Sequence, residues 1–183
     1  MDYNKEVSKK LAKAVESKSQ WYTVQSILGY SWAIFYILLG AREAGKSYSV
    51  MDFFLHEYFT KGKDFVWLRL TEASTKKLLN NNAMQFVDIG LMNKYGINSK
   101  DITVKGNTVF FKGKKMAKIL ALSTFYSDKG VAHFEDKEFE KEMFAYNICC
   151  DEFQRERNER NTFDITYAFV NQLENLVRHK TNC

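Results

Sequence analysis

The residues most suited to chemistry form a glycine-rich segment that ends in lysine and serine. The pattern G-x-x-x-x-G-K-[ST] is matched at all of its fixed positions by Gly40, Gly45, Lys46 and Ser47. In such a P-loop the glycines let the backbone curl so that N–H groups face phosphate oxygens, the lysine adds a charge to the β- and γ-phosphates, and the hydroxyl ligates Mg²⁺. A chance match in a chain of this size is roughly a one-in-a-hundred event. The predicted nucleotide-binding residues are Gly40, Ala41, Arg42, Glu43, Ala44, Gly45, Lys46, Ser47 and Tyr48.

An acidic pair further along the chain has the form of a Walker B motif. Asp151 and Glu152 follow the apolar segment 146–150. Asp151 is predicted to hold the Mg²⁺ shell, and Glu152 is predicted to orient and polarise the attacking water. Acidic pairs also end many strands without any catalytic role, so this interpretation depends on the P-loop that precedes the pair. Lys46 and Glu152 are thus candidate catalytic residues, and Ser47 and Asp151 are candidate metal ligands.

The glutamate directly after Asp151 favours the additional-strand class of P-loop ATPases over nucleotide kinases and simple GTPases. A GTPase would also need a base-reading [NT]-K-x-D motif, which the sequence lacks. ATP and Mg²⁺ are therefore the expected cofactors, and ATP hydrolysis is the expected activity. Two other functions stay open: a nucleotide-gated binding module, and a small-molecule phosphotransferase whose arginine-rich lid would be residues 155–160.

A P-loop needs a strand before it and a helix after it, and the hydrophobic pattern predicts both. Residues 33–39 form a continuous apolar run, which is typical of a strand buried on both faces of a parallel sheet. Residues 47–61 have helical periodicity, and residues 64–70 are the next predicted strand. These three elements predict a parallel βαβ unit.

The rest of the pattern predicts shorter elements. Segments 102–105, 108–112 and 115–122 alternate between apolar and polar residues and are separated by glycine-containing turns, so they predict a small antiparallel meander. Segment 146–150 is a further strand, and residues 165–177 are a final helix. The predicted fold class is α/β, a P-loop NTPase of the additional-strand type. Its sheet is expected to be mostly parallel and flanked by helices, with the antiparallel meander near residues 102–122.

The composition indicates one folded domain in a reducing compartment. The chain has 183 residues, no proline, 45% hydrophobic residues and a net charge of +5, which argues against a disordered or proline-rich protein. Its three cysteines and three histidines lack the spacing of a zinc site or a disulfide framework. The uncharged segment 19–41 is interrupted by polar side chains, so no membrane span is expected. The expected single ATPase domain covers residues 1–183, with a basic amphipathic helix at 1–20 and the P-loop core at 33–183.

Several motifs together resemble one group of proteins. The sequence LGAREAGKSY at 39–48, the strand at 65–69, the segment VKG at 104–106, and CDEF at 150–153 followed by Arg155 and Arg157 occur in this order. They resemble the DNA-packaging motor ATPases of small tailed phages with protein-primed genomes, the phi-twenty-nine-like group. The resemblance covers residues 21–183 and leaves out the basic N-terminal helix.

The resemblance implies a terminase-like ATPase that drives double-stranded DNA into an empty capsid. Such proteins assemble as a ring, pentameric in the family, on the portal of the procapsid. The implied partners are therefore double-stranded DNA, the portal or connector, and further copies of the chain, while a scaffold RNA stays open. The implied location is the host cell cytoplasm during virion assembly.

The resemblance also suggests roles for several arginines, each with a plainer alternative. Arg178 matches the position of a trans-acting arginine finger, or it complements the dipole at a helix C-terminus. Arg155 and Arg157 match basic residues near the DNA channel, or they belong to a solvated surface of mixed charge. Arg69 faces phosphate or caps the sheet.

Members of the resembled group are longer than this sequence. They continue with a sensor strand and a nuclease-like C-terminal domain, both of which lie C-terminal to these motifs. The chain is therefore expected to correspond to an N-terminal ATPase portion, and ATP hydrolysis by this portion alone is expected to be weak or to fail.

Overall fold

The computed structural model describes residues 35–41, 43–124, 147–151 and 163–177. Backbone contacts divide the chain into two compact units, Met1–His56 and Glu57–Cys183. The single ATPase domain expected from the sequence stays a prediction. The predicted basic helix at 1–20 lies outside the described residues.

Helices and strands follow the hydrophobic pattern closely in most places. The described helices are α1 (Lys46–Lys61), α2 (Glu72–Ala83), α3 (Ile89–Tyr95) and α4 (Ile165–Val177). The strands are β1 (Phe65–Arg69), β2 (Ile102–Lys105), β3 (Thr108–Phe111), β4 (Lys114–Ala121) and β5 (Asn147–Cys150). Short 3₁₀ turns occupy Ser99–Asp101 and Leu122–Thr124. Within these described ranges, every helix is too short or too polar to cross a bilayer.

The five strands form one mixed sheet in the order β2-β3-β4-β1-β5. Strand β1 pairs in parallel with both β4 and β5. The pairs β2–β3 and β3–β4 are antiparallel, which confirms the predicted meander near 102–122. Both parallel pairs involve β1, and both antiparallel pairs belong to the meander, so the described sheet is half parallel and not mostly parallel.

The predicted strand at 33–39 is not formed in its described portion. Residues 35–39 have no strand assignment, and the side chains of Phe35, Ile37 and Leu39 are 67%, 85% and 81% exposed. The sequence-based expectation of burial on both faces is therefore wrong for these residues. An apolar composition favours a strand, but a strand also needs a hydrogen-bonding neighbour, and composition does not specify one.

Strand β1 separates two hydrophobic layers because successive side chains point to opposite faces. Val66 and Leu68 pack with Ala168 and Leu176 of α4. On the opposite face, the rings of Phe65 and Trp67 lie 6.1 Å and 5.9 Å from Phe86, which follows α2. All four of these β1 side chains are buried, so β1 contributes to the hydrophobic core on both of its faces.

The chain is held tightly where it passes from β1 into α2. Thr71 and Ser74 form a reciprocal capping box, in which each side-chain oxygen accepts a hydrogen bond from the backbone N–H of the other. Ser123 donates its backbone N–H to the Leu70 carbonyl, and its hydroxyl accepts from the Glu72 N–H. The start of α2 is thus tied both to its own first turn and to the segment after β4.

Candidate functional site

The backbone conformation of the glycine-rich loop restricts which residues can occupy it. Glu43 has φ of 62° and Gly45 has φ of 79°, so two residues of the loop lie in the left-handed region. Glycine adopts this conformation without the steric cost that a side chain imposes, which explains why the motif requires glycine at position 45. Helix α1 begins at the next residue, and the Ser49 N–H donates to the Gly45 carbonyl at 2.9 Å.

Lys46 folds back over the loop that precedes it. Its Nζ donates hydrogen bonds to the carbonyl oxygens of Gly40 at 2.9 Å and of Ala41 at 2.6 Å. The ammonium group is therefore held against the beginning of the loop, while the N-terminus of α1 contributes its own partial positive charge. Ser47 and Tyr48, the two residues after this lysine, are exposed at the same helix end. The lysine ammonium and the N-terminus of α1 therefore place positive charge at the same end of the helix.

The role of Gly40 differs from the one expected. A Cβ atom at this position would lie 3.7 Å from Lys46 Cδ and 3.8 Å from its Nζ, which is ordinary van der Waals contact. Its φ is outside the left-handed range. In this conformation, the need for a small residue that curls the loop is therefore carried by Gly45 and is not evident at Gly40.

Asp151 lies immediately after β5 and forms an ion pair with Arg69, the last residue of β1. The Arg69 Nη1 and Asp151 Oδ2 atoms are 2.7 Å apart, and the two side chains are 15% and 21% exposed. The parallel register aligns Leu68 with Cys150, so the residues that follow them lie side by side. The Asp151 N–H also donates to the Leu68 carbonyl at 3.0 Å, which continues the ladder to the acidic residue. The sequence predicts Arg69 at a strand end but does not pair it with Asp151.

A second ion pair lies at the opposite end of β1. Lys115 Nζ is 2.8 Å from Asp64 Oδ2, and the side chains are 17% and 14% exposed. This pair closely matches the Arg69–Asp151 pair in distance and burial. It differs in position, because Asp64 precedes β1 whereas Asp151 follows β5.

Two cysteines precede the acidic residue. Burial raises the pKa of both thiols, the neighbouring Asp151 carboxylate raises it further, and the Arg69 charge acts in the opposite direction. The pKa of Cys150 reaches about 12, and that of Cys149 lies well above its usual value. Both thiols are therefore protonated near neutral pH and are poor nucleophiles.

The oxygen groups at these two places suit Mg²⁺. This ion prefers oxygen ligands and is commonly held by one or two protein groups together with substrate phosphates. Ser47 is an exposed residue in the first turn of α1 in one unit, and Asp151 carries a partly exposed carboxylate in the other unit. Within the described ranges, no group of three or more histidine, cysteine, aspartate or glutamate residues is arranged to hold a metal by protein ligands alone. Taken singly, each of these oxygen groups has the chemistry of one protein ligand to Mg²⁺.

Four cross-strand neighbours form a row on the α4 side of the sheet, and the row contains two lysines before it ends at an apolar residue. Lys105 pairs with Thr108, Thr108 with Lys118, and Lys118 with Val66. Val66 lies in the core under α4, whereas Lys105 is exposed and its Nζ lies 5.9 Å from the centroid of the Phe110 ring. Lysines beside threonine and an aromatic ring are suited to a nucleic acid backbone. The sequence-based predictions do not include this surface, although Lys105 and Lys118 both lie within predicted strands.

Several candidate residues lie outside the described part of the chain. Among the predicted site residues, these are Arg42, Glu152, Arg155, Arg157 and Arg178. Their assigned roles stay predictions. The structure thus brings together Lys46 with the start of the P-loop and Asp151 with Arg69, each within its own unit.

Comparison with known sequences identifies related proteins. A family model described as Podovirus DNA encapsidation protein (Gp16) matches residues 16–183. Proteins named DNA packaging protein from Bacillus phages PZA and phi29 are each 25% identical to this chain over 167 residues. The alignments cover 89% of this chain and 44% of each relative, so the chain spans less than half the length of these curated relatives.

Solved structures show the same fold. The phi-28 gp11 DNA packaging motor has a TM-score of 0.67 at 18% identity, over 89% of this chain and 48% of that one. The N-terminal domain of the DNA packaging ATPase from bacteriophage phi29 has a TM-score of 0.52 at 23% identity, over 75% of this chain and 63% of that one. The resemblance to phage DNA-packaging proteins is thereby confirmed at the level of the family. Since the family model covers most of its length, the chain belongs to the Podovirus DNA encapsidation protein (Gp16) family.

Proposed function

We propose that this chain is the ATP-hydrolysing part of a motor that moves double-stranded DNA into a phage procapsid. The observation that carries the proposal is the P-loop, in which Gly45 is left-handed, α1 begins at Lys46, and the lysine ammonium is held against the loop. Family membership supports DNA packaging as the process. In this proposal the fold is an additional-strand P-loop ATPase, and ATP and Mg²⁺ are the cofactors.

Each residue of the proposed site has a separate task. Lys46 and the N-terminus of α1 bind the phosphates, while Ser47 and Asp151 hold the metal. Glu152 orients the attacking water and accepts its proton. Bound Mg²⁺ would neutralise part of the charge on the β- and γ-phosphate oxygens.

The motor is proposed to act as a homo-oligomeric ring, with five copies as in the resembled group. A single copy suffices for nucleotide binding in this proposal, whereas fast turnover needs the ring. Arg178 of one copy would reach the nucleotide of its neighbour and stabilise the charge of the transition state. Such an arginine contributes roughly 10³–10⁵ to the rate in other P-loop enzymes. The procapsid portal is the proposed docking partner, a scaffold RNA is a further candidate, and the host cytoplasm is the proposed location.

The DNA contact is proposed to be electrostatic and insensitive to sequence. Arg155 and Arg157 are candidates from the sequence, and Lys105 and Lys118 are candidates from the basic row on the sheet. Phosphate contacts of this kind release counterions, so binding weakens steeply as salt concentration rises.

The activity is tested by measuring ATP turnover and oligomeric state together, with and without duplex DNA. In the full chain assembled with its portal, Glu152→Gln should keep ATP binding and lose turnover, whereas Lys46→Ala should lose binding. Lys76→Ala is the matched control, because Lys76 is an exposed lysine paired with Glu72 on α2. DNA-stimulated turnover that survives Glu152→Gln would contradict the role given to this glutamate.

The DNA contact is tested by the salt dependence of binding. Replacing Lys105 and Lys118 by alanine should weaken binding to every duplex sequence. It should also make the plot of log binding constant against log salt concentration less steep. The slope should fall by about one for each phosphate that the protein no longer neutralises. Lys76→Ala should leave the slope unchanged. Equal slopes for all three proteins would exclude the basic row from the DNA-binding surface.

A further inference from the structure

The ion pair between Arg69 and Asp151 has a property that a purely structural pair lacks. In the proposed function the Asp151 carboxylate also binds Mg²⁺. The same carboxylate therefore interacts with two cations, the Arg69 guanidinium and the metal. Arg69 reaches Asp151 Oδ2 at 2.7 Å from the neighbouring parallel strand. Both residues lie at the carboxyl ends of strands, where open α/β sheets place their ligands.

The surroundings keep the two charged groups in position. The Asp151 backbone is fixed by its hydrogen bond to the Leu68 carbonyl. Arg69 is followed at once by Leu70, whose carbonyl is bound by Ser123, and then by the capping box at Thr71. A rigid backbone on both sides means that the guanidinium cannot move far from the carboxylate without a change in its own side-chain rotamer.

We propose that Arg69 is a positioning residue that sets the Mg²⁺ affinity of the site by sharing the Asp151 carboxylate. This inference rests on the proposed function, because it takes Asp151 to be a metal-binding group. In the metal-free protein the guanidinium neutralises and orients the carboxylate. A metal held by Asp151 would also be repelled by the guanidinium charge, so its binding would be weaker than Asp151 alone would give. Release of Mg²⁺ and nucleotide would thereby be faster.

Electrostatics gives the direction of the effect. Removing a unit positive charge a few ångströms from a divalent cation strengthens its binding, and even strong screening leaves an effect of about tenfold. The same removal also takes away the 2.7 Å ion pair with the partly buried Asp151 carboxylate, so the metal-free protein should become less stable. Tighter metal binding together with lower stability distinguishes charge sharing from simple structural support.

The test uses Mn²⁺ as the probe, with ADP present and the full chain intact. Free Mn²⁺ is measured by electron paramagnetic resonance for the unchanged protein and for Arg69→Gln, Arg69→Lys, Asp151→Asn and Lys115→Gln. We expect Arg69→Gln to bind Mn²⁺ about tenfold more tightly and Arg69→Lys to remain near the unchanged protein, because it keeps the charge. Asp151→Asn should bind Mn²⁺ more weakly.

Lys115→Gln is the matched control, since it breaks an ion pair of similar length and burial at the opposite end of β1. It should lower stability without changing Mn²⁺ affinity. If Arg69→Gln leaves Mn²⁺ affinity unchanged or lower while Asp151→Asn weakens it, the inference is overturned and the proposed function stands. If Asp151→Asn itself leaves Mn²⁺ affinity unchanged, the metal role in the proposed function fails, and the inference fails with it.

A second measurement keeps the inference testable if Arg69→Gln does not fold. The guanidinium resonance of Arg69 is followed by nitrogen-15 NMR in the unchanged chain, and Arg69→Lys provides its assignment. Adding Mg²⁺ to the ADP-bound protein should shift this resonance and speed its hydrogen exchange with water. A resonance that does not respond to the metal would overturn the inference. Weaker binding of ADP by Arg69→Lys in the presence of EDTA would also overturn it, by showing that Arg69 contacts phosphate directly.

Discussion

The two ends of β1 carry ion pairs that look alike and are expected to behave differently. At the beginning of the strand, Asp64 pairs with Lys115 at 2.8 Å. At its end, Arg69 pairs with Asp151 at 2.7 Å. All four side chains are between 14% and 21% exposed, so distance and burial do not separate the pairs.

Location in the sheet separates them. Asp151 follows the C-terminal end of a parallel strand, which is where α/β proteins bind ligands, and it belongs to the motif that the sequence links to the P-loop. Asp64 lies at the N-terminal end of β1, next in sequence to Lys63, which pairs with Glu57 at 3.1 Å. Ion-pair geometry alone therefore does not distinguish the two carboxylates, whereas their positions before and after a parallel strand do.

The largest expected difference between the two ends is in ATP turnover. Asp151→Asn removes a proposed metal ligand and should reduce turnover by about a hundredfold or more. Asp64→Asn removes a carboxylate of similar burial and should change turnover by less than about twofold. A steady-state ATPase assay on the assembled, DNA-stimulated protein compares the two variants. Similar losses in both would show that the assay reports stability and that the two ends are equivalent.

The next difference concerns stability at the beginning of β1. Lys115→Met leaves Asp64 partly buried without its ion-pair partner, and it should reduce the free energy of unfolding by about 1–3 kcal/mol. Urea unfolding measures this loss, while the affinity for a fluorescent ADP analogue should stay unchanged. Replacing Asp64 as well, by Leu, should recover part of the loss, because it removes the isolated charge. A double variant that is no more stable than Lys115→Met would contradict this explanation.

The smallest expected effect is a pH dependence at the same end. Burial tends to raise the pKa of Glu57, but hydrogen bonds and charges from Lys61 and Lys63 outweigh it, so the pKa lies below its usual value of 4.5. The unfolded chain therefore takes up a proton at higher pH than the folded one. The stability contributed by Glu57 is present above pH 4.5 and is lost as pH falls through the folded pKa.

Unfolding by urea at a series of pH values measures this contribution. The unchanged protein should lose stability on acidification, and Glu57→Gln should lose less over the same range. Lys61→Ala is the companion variant, because Lys61 is the more exposed of the two partners and should contribute less than Lys63. Parallel pH curves for the unchanged protein and Glu57→Gln would show that Glu57 titrates alike in both states.

Local chemistry can be predicted from this sequence, and long-range pairing cannot. The glycine at position 45, the helix start at Lys46 and the turns of the meander follow from residue type and spacing, and they are found as predicted. The Arg69–Asp151 pair joins residues far apart in the chain, and it exists because β5 pairs with β1. A single sequence specifies which residues favour strands but not which strands become neighbours.

The segment 33–39 is a second case in which residue types alone are not enough to predict a strand. Its apolar residues are sufficient to predict a strand, yet residues 35–39 lie outside the described sheet and expose Phe35, Ile37 and Leu39. Burial depends on a partner surface as well as on the residues themselves. The basic row escapes prediction for a related reason, since Lys105 and Lys118 become neighbours across Thr108 only when three strands align.

The junction between β1 and α2 is short and is fixed by hydrogen bonds on both sides. Leu70 is the one residue between Arg69 and the N-cap Thr71, and Ser123 binds the chain on both sides of that cap. A displacement of Arg69 would consequently be transmitted as a tilt of α2, because there is no loop in which it can be absorbed. The orientation of α2 would then depend on where the end of β1 holds Arg69.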